Sequence, residues 1–230
     1  MILYILDMIK FEKSEYCEEL PKHKKHHAAG QYLLRVALGE EAYEQAVFVK
    51  GEHGKPYITG HPIHYNISHS GQYVVLVVAD SEVGVDVQEK KGRRLSAMAK
   101  RFFSEEEYLQ LTRCADRKEK QLLLTICDSI EETGQRLSSC KGDVEECRIR
   151  TSEDYTKAQS DLFFHIWCRK EAYGKYLGLG LLGDVLKTNM LEGVEGCYFQ
   201  EYSELEGYQI SICCGKEENI EEVISVFEGL

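Results

Sequence analysis

Two adjacent apolar runs, Tyr73–Ala79 and Val83–Val87, constrain the fold of this chain more than any other segment. The first is continuously apolar, which places it at the centre of a sheet. Only Asp80, Ser81 and Glu82 separate the two runs, a connection short enough to predict a hairpin. In the second run Asp86 and Gln88 share one face and point out of the sheet, with Val87 between them on the other. Gly84 permits a close backbone approach beside the acid. Two oxygen-bearing side chains on one strand face make half of a magnesium site. An acid at a strand end taken alone more often turns into solvent.

The remaining elements follow from punctuation and periodicity. Residues 2–6 read as a first strand. Pro21 suits a helix start, Leu33, Leu34, Ala37 and Leu38 give that helix an apolar face, and Gly39 stops it. Arg35 falls off the apolar face. Val47-Phe48-Val49 reads as a short strand, followed by a turn at Gly54-Lys55-Pro56. Ser104-Glu105-Glu106-Glu107 has the capping-box pattern and opens a helix after Phe102-Phe103. From about 114 to 158 the chain turns polar and acidic, with Leu122–Ile126 as its apolar anchor, and reads as an insertion. A long helix is expected from about Asp161 to Leu177, closed by Gly178. Strands follow near Cys197–Tyr202 and Tyr208–Cys213, then a final segment of unassigned type. A chain of 230 residues suffices for one large domain or two small ones.

Bulk properties narrow the partners. A net charge of −11 argues against nucleic acid. The longest apolar stretch, Tyr73–Ala79, is too short to span a membrane, and Met1–Asp7 lacks a basic leader and meets an acid too early for a signal peptide. Nine cysteines without a C-x-x-C pair, with Cys213 and Cys214 vicinal, fit a reducing compartment rather than a disulfide framework. The expectation is a cytoplasmic protein. An anionic substrate would need local positive charge, which Lys22–His27 and Lys90–Arg94 supply, although such runs are commonly solvated faces.

Two further constellations bear chemistry. On the 161–177 helix, Glu171 and Lys175 lie four apart on one face, a spacing that taken alone reads as an ordinary surface ion pair; Trp167, one turn earlier, argues against that face being wholly solvated. In Asn66-Ile67-Ser68-His69-Ser70-Gly71, hydroxyls, backbone N–H groups and an imidazole at a strand end suit phosphate oxygens, though the same composition makes an ordinary polar turn.

Taken in order, Gly54-Lys55-Pro56-Tyr57, Tyr65–Gly71, Val83–Val87, Lys100–Glu107, and Trp167–Ala172 with Lys175 and Gly178-Leu179-Gly180 resemble the 4′-phosphopantetheinyl transferases. The resemblance is to the larger single-chain type that activates peptide synthetases, and it covers most of the chain from about residue 20 to 183 apart from the insertion. It implies an α+β fold of two similar subdomains with pseudo-twofold symmetry and the active site in the cleft between them. The halves would be 1–100, binding coenzyme A, and 101–230, carrying the Trp167–Lys175 helix and the insertion. The implied reaction is Mg²⁺-dependent transfer of phosphopantetheine from coenzyme A to a serine of an apo acyl or peptidyl carrier protein, releasing adenosine 3′,5′-bisphosphate.

By motif match, Asp86 and Glu171 are the implied carboxylate ligands of Mg²⁺, with Mn²⁺ as the alternative ion and Gln88 as a third ligand. Glu171 is also the implied base for the carrier serine, and Lys175 stabilises charge on the diphosphate. Ser68, His69, Lys55, Pro56 and Arg35 are the implied coenzyme A contacts. Gln88 departs from the Glu of many relatives, so weaker metal binding is expected rather than lost activity. A two-halved chain has no need to dimerise, and a monomer is expected. The competing readings are a non-catalytic module that binds coenzyme A or a carrier protein, and a metal-dependent phosphoesterase.

Overall fold

A computed structural model describes residues 1–17, 20–91, 95–113 and 156–226. Most of the expected 114–158 insertion, including Leu122–Ile126, lies outside the described residues, as do residues 92–94 of the second basic run. The chain divides into two compact units, Met1–Lys91 with Phe164–Leu230, and Gly92–Phe163.

The first unit is a mixed α+β assembly. Strands β1 (Ile2–Asp7), β4 (His64–Ser70), β5 (Tyr73–Ala79) and β9 (Glu222–Val226) form one sheet in the order β4-β5-β1-β9. The segment left unassigned by sequence supplies β9, which pairs parallel with β1. A hairpin of β2 (Val47–Lys50) and β3 (Pro56–Thr59) stands beside it, and β6 (Val83–Glu89), β8 (Tyr208–Cys214) and β7 (Tyr198–Tyr202) form a three-stranded sheet.

Tyr73–Ala79 is an interior strand, as its apolar run implies. One face of its sheet carries Leu6, Val74 and Leu76 against Leu33 and Leu34 of helix α2 (Lys22–Leu38). The other carries Leu3, Ile5, Val75 and Val77 against Val83, Val85, Val87, Ile210 and Ile212 of the second sheet. Burial on both faces explains why β5 shows no alternation. Helix α2 ends at Gly39, whose φ of 80° favours glycine. The short helices α1 (Met8–Phe11) and α3 (Glu40–Gln45) flank it.

The expected hairpin between Tyr73–Ala79 and Val83–Val87 does not form. Both edges of β5 are filled, by β4 and by β1, so no edge remains for β6. The three-residue link instead carries the chain into the second sheet, where β6 pairs antiparallel with β8. The other edge of β6 is closed by side chains. Asn66 Oδ1, Ser68 Oγ and Ser70 Oγ, alternate residues of β4, accept from the N–H groups of Val85 (2.9 Å), Val87 (3.3 Å) and Glu89 (2.9 Å). These three rungs satisfy backbone donors that a lone edge strand would leave open.

The second unit holds α4 (Leu95–Phe102), α5 (described over residues 105–113) and the first turns of α6 (Lys157–Leu177). The expected capping box is present: Ser104 N–H donates to Glu107 Oε2 at 2.7 Å, and Glu107 N–H donates to Ser104 Oγ at 3.3 Å. A second box, between Thr156 and Gln159, starts α6 four residues before the expected Asp161. Phe103 and Phe163 stack at 5.1 Å within this unit. Helix α6 then runs into the first unit and ends at Gly178 (φ 71°), followed by α7 (Asp184–Lys187).

Candidate active site

On β6, Val83, Val85 and Val87 face the core, so Gly84, Asp86 and Gln88 face the other way, toward the part of α6 in the same unit. Asp86 is 2% exposed. A buried carboxylate needs donors, and it has three. Its Oδ1 accepts from Lys175 Nζ at 2.6 Å and Ser68 Oγ at 2.8 Å, and its Oδ2 accepts from Gln88 Nε2 at 2.9 Å. Lys175 Nζ also donates to Ser68 Oγ (2.7 Å) and to the carbonyl of Val85 (3.1 Å).

Helix and strand meet this closely because Gly84 has no side chain. A Cβ there would collide with the backbone of α6 at Ala172 and Tyr176. One turn earlier the Cys168 thiol donates to the carbonyl of Asp86 at 3.1 Å. Helical spacing then sets Glu171 and Lys175 at the same strand. Burial, and next the Asp86 charge, push the Glu171 carboxyl up to about 7, while Lys175 pulls it down. A half-buried acid poised there exchanges protons near neutrality.

The same helix contributes residues that sequence reasoning did not single out. Lys170 is fully buried, and its ammonium donates to the carbonyls of Leu186 (2.9 Å) and Thr188 (2.7 Å), pinning α7. Arg169 Nε donates to Glu201 at 2.7 Å, and Glu201 also accepts from Gln209 (2.6 Å) and Ser211 (2.7 Å). Strand register puts Asp86, Ser211 and Glu201 in one row across the sheet. The row was not legible beforehand, because it depends on which strand lies between β6 and β7.

A hard divalent cation fits this donor set. Asp86 and Glu171 are two oxygen acids close enough that the charge of one raises the pKa of the other, and a cation would relieve that repulsion. Gln88 would offer its carbonyl oxygen, the one atom of an amide that can ligate a hard cation, while its amide nitrogen donates to Asp86. Among the described residues no group of three or more His, Cys, Asp or Glu side chains is arranged for a metal. Two carboxylates completed by substrate phosphates suit Mg²⁺ without such a group.

Beside this cluster lies a cavity of about 660 Å³. Its walls include His23, His26 and His27 of α2, Lys50 and Pro56 of the β2–β3 hairpin, and His69 of β4. His69 stacks on His26 at 4.6 Å between ring centroids. Burial, then His26 and Lys175, lower the His69 pKa, and Asp86 opposes them. Along β4, Tyr65, Ile67 and His69 therefore face the cavity while Asn66, Ser68 and Ser70 face β6.

The structure thus brings Asp86, Gln88, Ser68, Glu171 and Lys175 together and sets His69 and Pro56 on the adjoining cavity. Lys55 is 7% exposed and points inward. It bonds the Glu82 carboxylate and donates to the carbonyls of Val83 (2.9 Å) and Tyr176 (3.0 Å). Arg35 is not in the cavity wall; it pairs with Glu40 and lies 4.8 Å over the Tyr43 ring.

A family model described as the 4′-phosphopantetheinyl transferase superfamily matches residues 140–214, a span that takes in α6, β7 and β8. The 4′-phosphopantetheinyl transferase psf-1 of Bacillus pumilus is 30% identical over 210 residues, which cover 84% of this chain and 72% of that protein. The chain belongs to the 4′-phosphopantetheinyl transferase superfamily. Other transferases of this superfamily align just as broadly. A 4′-phosphopantetheinyl transferase of Bacillus subtilis is 27% identical over 89% of this chain and 81% of its own length. The transferase Sfp of Bacillus subtilis strain 168 is 25% identical over 96% and 88% respectively. Among the described residues of this superfamily member, no helix is long and apolar enough to cross a membrane.

Proposed function

We propose that this protein transfers the 4′-phosphopantetheine moiety of coenzyme A to a serine of an acyl or peptidyl carrier protein and releases adenosine 3′,5′-bisphosphate. The observation that carries the reading is the Asp86–Lys175–Glu171 cluster next to a cavity walled by His23, His26, His27 and His69. A cavity rich in imidazoles and bordered by lysine suits a phosphorylated nucleotide, and the acids suit the reacting diphosphate.

In this reading the carrier serine oxygen forms a bond to the phosphorus that bears pantetheine. The bond from that phosphorus to the bisphosphate leaving group breaks. Glu171, directly or through a water, takes the serine proton, a role its raised pKa supports at neutral pH. Lys175 faces the charge that grows on the departing oxygen. Asp86, Glu171 and the Gln88 carbonyl would hold Mg²⁺, or Mn²⁺ in its place, which supplies positive charge against the diphosphate oxygens. His69 and Pro56 lie against the nucleotide end. Arg35, Lys55 and Ser68 remain the other implied coenzyme A contacts. The two-halved organisation at 1–100 and 101–230, a monomeric state and a cytoplasmic location belong to the same proposal.

The decisive experiment incubates the protein with Mg²⁺, coenzyme A and an apo carrier and weighs the carrier by mass spectrometry. A gain of one phosphopantetheine is expected. An unchanged carrier with coenzyme A bound points to a binding module, and free phosphopantetheine points to hydrolysis.

A further inference from the structure

We propose that the Arg169–Glu201 pair is a positioning device that fixes the roll of α6 on its sheet and thereby holds Glu171 beside Asp86. Among the described residues no hydrogen bond fixes the Glu171 carboxylate, which meets Asp86 and Lys175 through their charges. Its place is therefore set by the helix that carries it. Cys168 and Ala172 are fully buried and mark the line along which α6 rests on the sheet. At about 100° per residue, Arg169 and Glu171 stand about 80° to either side of that line. A roll of the helix moves the two in opposite senses, so whatever holds Arg169 also holds Glu171.

The contacts of the pair resist such a roll. Arg169 Nε donates to Glu201 Oε1 at 2.7 Å. The same guanidinium donates to the Met190 carbonyl at 3.1 Å and lies 5.0 Å over the Phe199 ring. His165, one turn earlier on α6, brings Nδ1 within 3.8 Å of the same Glu201 oxygen. The other oxygen of Glu201 belongs to the sheet, accepting from Gln209 Nε2 at 2.6 Å and Ser211 Oγ at 2.7 Å. Glu201 thus gives one oxygen to the helix and one to the sheet. It stands on β7, with β8 between it and the strand of Asp86. On the opposite flank Lys175 bonds Asp86, but that lysine belongs to the reacting cluster and cannot report on helix placement alone. Arg169 and Glu201 can. A displacement of about 1 Å at a reacting group costs up to about 100-fold in rate.

The inference rests on the proposed transfer for its kinetic readout, and metal binding tests it without turnover. Arg169→Met, Arg169→Lys, Glu201→Ala, the Arg169→Met/Glu201→Ala double variant and Gln209→Ala are compared with the parent protein. Carrier phosphopantetheinylation gives kcat and the KM values for coenzyme A and carrier. Electron paramagnetic resonance of Mn²⁺ in the presence of coenzyme A follows binding at the proposed metal site. Arg169→Met and Glu201→Ala should each lower kcat by about tenfold or more, with the coenzyme A KM within about twofold. Both should weaken Mn²⁺ binding by about tenfold. The double variant should lie within about twofold of either single one, because one interaction is removed twice. Arg169→Lys keeps a donor and should recover part of kcat. Gln209→Ala removes a bond to the same carboxylate from the sheet side and should leave kcat and Mn²⁺ affinity within about twofold. Unchanged kcat and Mn²⁺ affinity in Arg169→Met would overturn the proposal. Equal losses in Gln209→Ala would also overturn it, by making the network a general support of the sheet. A rise in carrier KM alone would make Arg169 a docking contact and overturn it as well. If Glu201→Ala fails to fold, the two Arg169 variants decide. A parent protein that binds Mn²⁺ but leaves the carrier unmodified would refute transfer, while the Mn²⁺ comparison would still decide the role of the pair.

Discussion

Asp86 meets donors from β4, β6 and α6, and each predicts a different consequence of mutation. Asp86→Ala and Glu171→Ala should each abolish transfer, read as an unchanged carrier mass; near-normal turnover by the Glu171 variant would mean that the helix site is misassigned. Gln88→Ala should only weaken turnover. Gln88→Glu replaces a donor to Asp86 with a second carboxylate on the same strand face. Its metal-free melting temperature should fall below that of the parent, and added Mg²⁺ should raise it by more than it raises the parent. His69 predicts a pH effect. Its pKa is lowered in the free protein, so the folded state favours the neutral ring. That contribution to stability is complete above the usual value near 6.5 and is lost as pH falls toward the lowered value. A phosphate bound beside the ring would raise its pKa again. Coenzyme A binding should therefore be accompanied by proton uptake at His69, which calorimetry in buffers of different ionisation enthalpy will detect. The shared face of Asp86 and Gln88 was legible from alternation alone. The meeting of Ser68 with Asp86, Val87 and Lys175 was not, because these partners come from a strand and a helix distant in sequence.

At the scale of elements, Gly84 sets how near α6 comes to β6. Gly84→Ala should push the helix back, destabilise the fold by about 1–3 kcal/mol in urea unfolding, and reduce transfer more than coenzyme A affinity. Unchanged kinetics would mean that the contact is incidental. Most strands and the main helices could be read from periodicity, and the Ser104 box and the Gly178 stop were found where expected. Partner choice could not. The short link after Ala79 suggested a hairpin, but β5 was already paired on both sides. What closes β6 instead is a row of polar side chains, and a row of that kind looks in the sequence like an ordinary turn-forming segment. Helix α4 has no strong start signal and was not anticipated, and the Thr156–Gln159 box lies in a polar stretch that masked it.

For the whole molecule, a charge of −11 matters for the proposed partner, because carrier proteins are themselves acidic. Docking that relies on local basic or apolar contacts should show modest salt dependence, whereas dominant long-range repulsion between two acidic proteins would make the carrier KM fall as ionic strength rises. Kinetics at several salt concentrations separate the two. The first strand, β1, lies between β5 and β9, whose residues are far apart in the sequence. Truncation before Glu222 should expose one backbone edge of β1 and promote association, visible by size-exclusion chromatography. The same arrangement has a meaning in time. During synthesis β1 emerges early, yet one side of it stays unpaired until residues 222–226 have left the ribosome, and β8, the partner of the strand bearing Asp86, also comes late. Nascent chains would pass through a period in which the reactive groups exist but have no geometry, so the last strands to appear decide when the protein becomes competent.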